Sequence, residues 1–322
     1  MSDASALRAP AGSSVVTIGN FDGVHRGHAA VIRQAIAEGR ERNLKPLVLT
    51  FAPHPAEVLG RGSVSCLTAL ERKVELLCRL DDELCIVVHP FTLDLARKSP
   101  AEFVQSLLVD ALGAGLVMVG ENFRFGNRRS GDFETLAGLG ERCGFTAKTH
   151  QLEGDSEGEY SSSRIRARLL KGDVELVEQL LGRPHSVSGV VVQGDQRGRT
   201  IGVPTANLSD VIEAIPPDGV YAVAVDRCDD MTGAGTRLAV GVMNIGVRPT
   251  VGAGQSTEVH LLDFAGDLYD KKLRVHLVAR LRAEQKFSGL PELKSQIAKD
   301  IEQARELLRD REPDPSASGA WY

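Results

Sequence analysis

The sequence predicts an α/β chain in two parts: an N-terminal doubly wound, Rossmann-like parallel-sheet domain and a C-terminal small antiparallel β-barrel with a terminal helix. Three observations carry this reading. The length is 322 residues, and at about 100 to 200 residues per domain that makes two domains, each large enough to bury its own core. In the first half, short apolar β-branched runs alternate with amphipathic helical stretches, the pattern of βαβ units on a parallel sheet. From residue 185 onward the texture changes to short Val-rich runs punctuated by Gly, Pro and Asp, the spacing of a small barrel.

Taken in order, strands are predicted at 15–18, 47–51, 84–88 and 116–119, with a weaker one at 145–149. Helix starts lie between them: Thr68 with Glu71, and Ser99-Pro100-Ala101-Glu102, each match a capping box, the second with Pro at the first helical position. Helical periodicity returns over 161–172 and 173–181 and is broken by Gly182-Arg183-Pro184. That break sets an expected boundary between domains 1–183 and 184–322. Barrel strands are predicted at 188–192, 220–225, 238–244, 258–262 and 274–281, then a helix over 291–309. Residues 312–322 carry Pro, Ser and Gly and read as a loose tail.

Composition excludes several classes. Hydrophobic residues make up 42% and charged residues 25%, as in an ordinary globular protein. With 38 basic and 43 acidic residues, the formal charge of -5 supplies no footprint for nucleic acid. The cysteines Cys66, Cys78, Cys85, Cys143 and Cys228 are scattered, without a C-x-x-C pair for zinc and too sparse for a disulfide scaffold, which suits a reducing compartment. No stretch approaches the roughly 20 apolar residues of a membrane span, and the N-terminal residues lack the apolar core of a signal peptide. A cytoplasmic protein without a membrane or nucleic-acid partner is expected.

The sharpest local feature is Gly19-Asn20-Phe21-Asp22-Gly23-Val24-His25-Arg26-Gly27-His28, where the first strand ends and the first helix begins. A turn at the carboxyl end of a parallel strand is exposed, its glycines let the backbone approach a ligand, and the helix N-terminus favours phosphate. His25 and His28 would then face one anion, against the plainer alternative of two solvated histidines. Zinc fits less well, because this H-x-x-H lacks the i, i+4 spacing and an accompanying glutamate. A second cluster, Ser161-Ser162-Ser163-Arg164-Ile165-Arg166, sets hydroxyls and guanidinium groups at a helix start. That suits polyphosphate, or simply a capped helix with a solvated basic face.

These segments, with Phe51-Ala52-Pro53-His54-Pro55 and Gly120-Glu121-Asn122-Phe123-Arg124-Phe125-Gly126, resemble the adenylyltransferase half of the prokaryotic bifunctional riboflavin kinase/FAD synthetase family. The resemblance continues in order through Gly198-Arg199-Thr200-Ile201-Gly202-Val203-Pro204-Thr205-Ala206-Asn207, Gly219-Val220-Tyr221-Ala222, Asn244-Ile245-Gly246-Val247-Arg248-Pro249-Thr250 and Asp267-Leu268-Tyr269. Departures are modest: Ser163 stands where the family usually has Thr, Val203 where it has Phe, and His185, which reads as structural, where it has Tyr.

The resemblance implies a nucleotidyltransferase domain followed by a riboflavin kinase domain, with ATP, riboflavin and FMN as substrates and Mg2+ as cofactor. For transfer of AMP to the FMN phosphate it implies charge stabilisation by His25 and His28. The β- and γ-phosphates would be held by Ser162, Ser163, Arg164 and Arg166, and the nucleotide pocket shaped by Gly19, Asn20, Phe21, Asp22 and Gly23. Pro53, Pro55, Asn122 and Phe123 would lie towards the flavin. For the kinase, no G-x-x-x-x-G-K-[ST] is present, so another device must hold phosphate. Thr205 and Asn207 across the P-T-A-N turn offer oxygen ligands for magnesium, or else only stabilise the turn. Glu258 matches the family's general base, and Gly194, Gly198 and Arg199 are expected to form a loop over the nucleotide. Three alternatives stay open: a monofunctional relative with one inactive half, a flavin or nucleotide sensor without turnover, and a relative of the aminoacyl-tRNA synthetases. The last also use H-x-G-H, but here the K-M-S-K-S signature is missing.

Overall fold

The computed structural model describes residues 8–60, 65–150, 153–194, 198, 201–228, 235–247, 255–309 and 311. By contacts the chain forms two compact units, one of Met1–Val64 and Lys73–Ser161, the other of Ser65–Arg72 and Ser162–Tyr322. Arg199, residues 248–250 and the tail 312–322, all singled out above, lie outside the described residues.

The first unit begins with β1 (Ser14–Ile18), α1 (Arg26–Arg42), β2 (Lys45–Ala52) and the short α2 (Pro55–Val58). There follow α3 (Leu70–Cys78), β3 (Cys85–Pro90), α4 (Leu93–Arg97) and α5 (Pro100–Phe103), which runs into π-helical turns over Val104–Val109. It ends with β4 (Ala114–Gly120), α6 (Phe133–Cys143), β5 (Thr146–His150) and the two-residue strands β6 (Gly154–Asp155) and β7 (Gly158–Glu159). The five main strands pair in parallel in the order β3-β2-β1-β4-β5. Each of the five predicted strands is present.

Strand periodicity explains the layers. Val16, Ile18, Leu47, Leu49, Val117 and Val119 share one face and pack with Leu95, Phe103, Leu107, Leu136 and Leu139 of the helical layer there. The alternate residues Val48, Ile86 and Val15 point the other way, against Ile32, Ile36 and Ala35 of α1 and Leu76 and Leu77 of α3. With both faces covered, the central strands β1, β2 and β4 are largely apolar, as a doubly wound sheet requires. The capping box at Ser99 is formed, its hydroxyl and the Glu102 carboxylate bonding reciprocally to backbone N–H groups.

The second unit has α7 (Ser162–Leu169), α8 (Val174–Leu181), β8 (His185–Val192), β9 (Ala206–Ser209) and β10 (Gly219–Cys228). The chain continues through β11 (Gly235–Val247), β12 (Gln255–Leu261), β13 (Lys272–Ala283) and α9 (Leu290–Arg309). Six strands close into a barrel in the order β10-β11-β12-β9-β8-β13, which leaves no open edge. On its outside Ala222, Val278 and Ala279 pack with Ala304 and Leu308 of α9. Arg282 of β13 clamps α9 through Asp300, with Nε 3.0 Å from Oδ1 and Nη2 2.8 Å from Oδ2.

One feature differs from expectation. The P-T-A-N segment is not a free turn: Ala206 and Asn207 begin β9 and pair with β12, because the neighbouring strands supply hydrogen bonds that outweigh the local turn preference. The second compact unit also takes in residues ahead of β8. The apolar stripe of α8, with Val174, Val177 and Leu180 fully buried, packs towards β8 and β13, and Glu175 accepts the Arg280 backbone N–H at 3.3 Å. Residues 65–72 join the same unit, where the Ala214 N–H donates to the Cys66 carbonyl at 2.7 Å.

His185 is structural. It is buried at the start of β8 with Nε2 2.7 Å from the Ala214 carbonyl, and burial pushes its pKa down to about 4. Burial likewise lowers His276 to about 4, although its Nε2 lies 2.8 Å from Asp226 Oδ2. For Asp226, burial opposes ionisation, but the bonds from His276 and Arg237 prevail and hold the carboxyl at about 2. An unfolded chain takes up the His185 proton near the ordinary histidine value of about 6.5, which the folded chain refuses until about pH 4. The stability contributed by neutral His185 is therefore complete above about pH 6.5 and is lost as the pH falls towards 4. Denaturant titrations at pH 7 and pH 5 should show the parental chain losing more stability on acidification than His185→Gln. Equal losses would remove His185 from the pH dependence.

Candidate active sites

In the parallel sheet the strand order reverses direction between β1 and β4, so the crevice for a ligand opens at their carboxyl ends. Loop 19–28 leaves β1 there. Its backbone is unusual: Phe21 has φ 48° and Val24 φ 40°, the left-handed region, which costs a non-glycine residue on the order of 1–3 kcal/mol. Packing sustains it, since Phe21 and Val24 are buried in the cluster that contains Ile32, Ile36 and Leu77. A side chain at Gly19 would crowd the Phe21 ring, with the nearest ring carbon at 3.1 Å.

His25 is the N-cap of α1, its Nδ1 accepting the His28 backbone N–H at 3.3 Å. The two imidazoles stack with centroids 3.5 Å apart, and the Phe21 ring meets His28 edge-on at 5.2 Å. The paired histidines are thus a rigid group at a helix N-terminus. The backbone donors of that N-terminus carry partial positive charge.

Next to this loop, the Ala52-Pro53 bond is cis, and His54 caps α2 by accepting the Ala56 N–H at 3.1 Å. Asn20 Nδ2 lies 3.3 Å from His54 Nε2, which brings Pro53 and Pro55 beside the first loop. At the end of β4, a side chain on Gly120 would meet Asn122 Oδ1 at 3.3 Å and the His150 ring at 3.4 Å. Asn122 is exposed, and Phe123 stacks on Phe125 at 5.4 Å, tied to the core. Gly19, Asn20, Phe21, Asp22, Gly23, His25, His28, Pro53, Pro55, Asn122 and Phe123 therefore all lie at the carboxyl edge of one sheet. Ser162, Ser163, Arg164 and Arg166 belong to α7 in the second unit, where Arg166 Nε donates to the Ser65 carbonyl at 2.8 Å.

In the barrel a second group converges. Asn207 of β9 and Asn244 of β11 lie opposite Glu258 of β12, one on each side. The Thr205 hydroxyl lies 3.3 Å from Glu258 Oε2 and the Ser256 hydroxyl 3.2 Å from Oε1, so each carboxylate oxygen faces one hydroxyl. A side chain on Gly194 would collide with the Asn207 amide, and one on Gly198 with the Val203 carbonyl. Glycine at these two positions lets the backbone lie against the Asn207 amide and the Val203 carbonyl. Ser256 escaped sequence reasoning, although its spacing of two from Glu258 puts both on one face of a strand.

The fold is that of a two-part α/β protein, a doubly wound parallel sheet followed by a small closed barrel, with one polar cluster on each. An FAD synthetase family model matches residues 8–164 and a riboflavin kinase model residues 181–308. The chain is 43% identical over 305 residues to the bifunctional riboflavin kinase/FMN adenylyltransferase of Escherichia coli (strain K12), covering 94% of this chain and 95% of that one. It is 38% identical over 299 residues to the protein of the same description from Bacillus subtilis (strain 168), covering 90% and 91%. A solved structure described as a macrolide-efflux protein from Streptococcus pneumoniae has a TM-score of 0.81 at 28% identity, covering 95% of this chain and 97% of that one. Among the described residues no helix is long and apolar enough to cross a membrane. The chain belongs to the bifunctional riboflavin kinase/FMN adenylyltransferase family, with the FAD synthetase part on the parallel sheet and the riboflavin kinase part on the barrel.

Proposed function

We propose that the chain converts riboflavin to FMN on the barrel and FMN to FAD on the parallel sheet, using ATP in both steps, with the division of labour near residue 183. The observation that carries the reading is the convergence of Thr205, Asn207 and Glu258 in the barrel, which supports an intact kinase beside the adenylyltransferase motifs. Incubation with riboflavin, ATP and magnesium, followed by chromatographic resolution of the flavins, tests it. FMN should appear first and FAD after it. FMN without FAD would leave a monofunctional kinase, and neither product would leave a binding protein without turnover.

In phosphorylation, the riboflavin 5′-hydroxyl oxygen bonds to the γ-phosphorus as the bond to the bridging oxygen of ADP breaks. Glu258 takes the hydroxyl proton. Ser256 and Thr205 orient the carboxylate, each through one oxygen. Thr205 Oγ1 and Asn207 Oδ1 are hard oxygen donors beside the Glu258 carboxylate, with the Gly194 backbone packed against the Asn207 amide, and this donor set fits magnesium, which retains several waters. Bound there, the ion would neutralise charge on the ATP phosphates. A nucleotide-covering role for Gly194, Gly198 and Arg199 rests on the resemblance of their motif.

In adenylylation, an FMN phosphate oxygen bonds to the α-phosphorus and pyrophosphate leaves, so no protein group needs to accept a proton. The task is positioning and charge stabilisation. His25 and His28, stacked at the N-terminus of α1, face that charge, and Gly19, Asn20, Phe21, Asp22 and Gly23 shape the pocket. Pro53, Pro55, Asn122 and Phe123 border the flavin. Retention of the leaving pyrophosphate by Ser162, Ser163, Arg164 and Arg166 rests on the resemblance of their motif. A cytoplasmic setting is part of the reading, supported by five scattered cysteines that form no disulfide-scaffold spacing.

A further inference from the structure

We infer that Lys73 is a positioning residue for FMN adenylylation, fastening the loop that carries His25 and His28 to the carboxyl end of the neighbouring strand. The inference rests on the adenylyltransferase reading of loop 19–28. Lys73 lies on α3 and is buried, 8% exposed. Its ammonium lies 3.1 Å from the Asn20 carbonyl oxygen, 3.3 Å from Thr50 Oγ1 and 3.4 Å from the Phe51 carbonyl oxygen. Thr50, fully buried, donates its own hydroxyl to the same Asn20 carbonyl at 3.1 Å.

Burying an ammonium is costly unless its three hydrogens find acceptors. The three oxygens named above come from the two segments that border the proposed site. Asn20 begins the loop after β1, and Thr50 and Phe51 end β2, just before Pro53-His54-Pro55. The Asn20 side chain reaches His54, so one lysine and one asparagine join the two segments. From Asn20 the constraint passes to its neighbour: Phe21 holds φ 48° and its ring meets the His28 imidazole at 5.2 Å. The carbonyl that Lys73 fixes thus belongs to the residue just before the one that sets the His28 ring. A neutral donor could satisfy one carbonyl; the ammonium satisfies several oxygens and adds positive charge beneath a loop read as binding polyphosphate.

The test uses the full chain with Lys73→Met, Lys73→Arg and Thr50→Val, measuring thermal unfolding, riboflavin phosphorylation, and kcat and KM for adenylylation of supplied FMN. Lys73→Met should lower adenylylation kcat by on the order of 10- to 100-fold, the cost of a misplaced catalytic group, and leave riboflavin phosphorylation unchanged. Lys73→Arg, which keeps charge and donors, should restore most of that rate, and Thr50→Val should lower it several-fold. A folded Lys73→Met with parental adenylylation kcat overturns the proposal. So does loss of both activities together with a collapsed unfolding transition that Lys73→Arg restores equally, because that pattern is purely structural. If Lys73→Met does not fold, parental adenylylation kcat in both Lys73→Arg and Thr50→Val overturns the proposal, and a selective loss in Thr50→Val upholds it. Continued FAD formation by His28→Ala would instead overturn the reading of the loop as the site, and this inference with it.

Discussion

Glu258→Gln is expected to slow riboflavin phosphorylation by about 100- to 10,000-fold, the range of general base catalysis, while the same preparation adenylylates supplied FMN at the parental rate. Gln keeps the size of the side chain and one acceptor oxygen, so no cavity opens in β12. It cannot take the proton of the attacking hydroxyl. Its amide also turns an N–H towards one of the two hydroxyls, Thr205 at 3.3 Å or Ser256 at 3.2 Å, that now face carboxylate oxygens. Both hydroxyls can rotate to accept, so the barrel should remain folded. The loss should appear in kcat with little change in KM for riboflavin or ATP, because the missing interaction is made in the transition state. Separate measurement of the two half-reactions decides the matter. A parental kinase rate would reject Glu258 as the base, and equal loss of both activities would point to misfolding.

The parallel sheet was legible because its strands are apolar runs bounded by turn residues and its helices carry capping signals such as Ser99 with Glu102. The barrel was legible from the Val-rich spacing. What sequence could not show was non-local. Helical periodicity reveals that α8 has an apolar stripe but not which sheet covers it. The sequence of β9 favours a turn because Pro204 and Asn207 are poor strand formers, and only pairing with β12 and β8 makes it a strand. In the sites, motif residues were legible and their supports were not. Lys73 belongs to no motif and is, by sequence, one more charge on an amphipathic helix. Yet its spacing to Leu76 and Leu77, three and four residues on, places it on the buried face of α3. A lysine on an apolar stripe is the signal that could have found it. Ser256 had a similar signal in its period-two relation to Glu258.

His28→Ala is expected to cut FAD formation from FMN and ATP by on the order of 100-fold or more, the usual consequence of removing a donor that stabilises developing phosphate charge. Riboflavin phosphorylation should be untouched and FMN should accumulate. The geometry makes this substitution cleaner than it first looks. The bond that caps α1 runs from the His28 backbone N–H to His25 Nδ1 at 3.3 Å, and alanine retains that N–H. The helix start therefore survives the loss of the ring, and helix fraying does not explain a loss of rate. What disappears is the stacked partner of His25 at 3.5 Å and the edge contact with Phe21 at 5.2 Å. His25→Ala, by contrast, removes a ring and the cap together, which typically costs about 0.5–2 kcal/mol of stability. A lower unfolding temperature should accompany its loss of activity. The pair of variants separates chemistry from architecture: near-parental FAD formation by His28→Ala would remove that imidazole from the mechanism and leave its stacking on His25 as a feature of the fold.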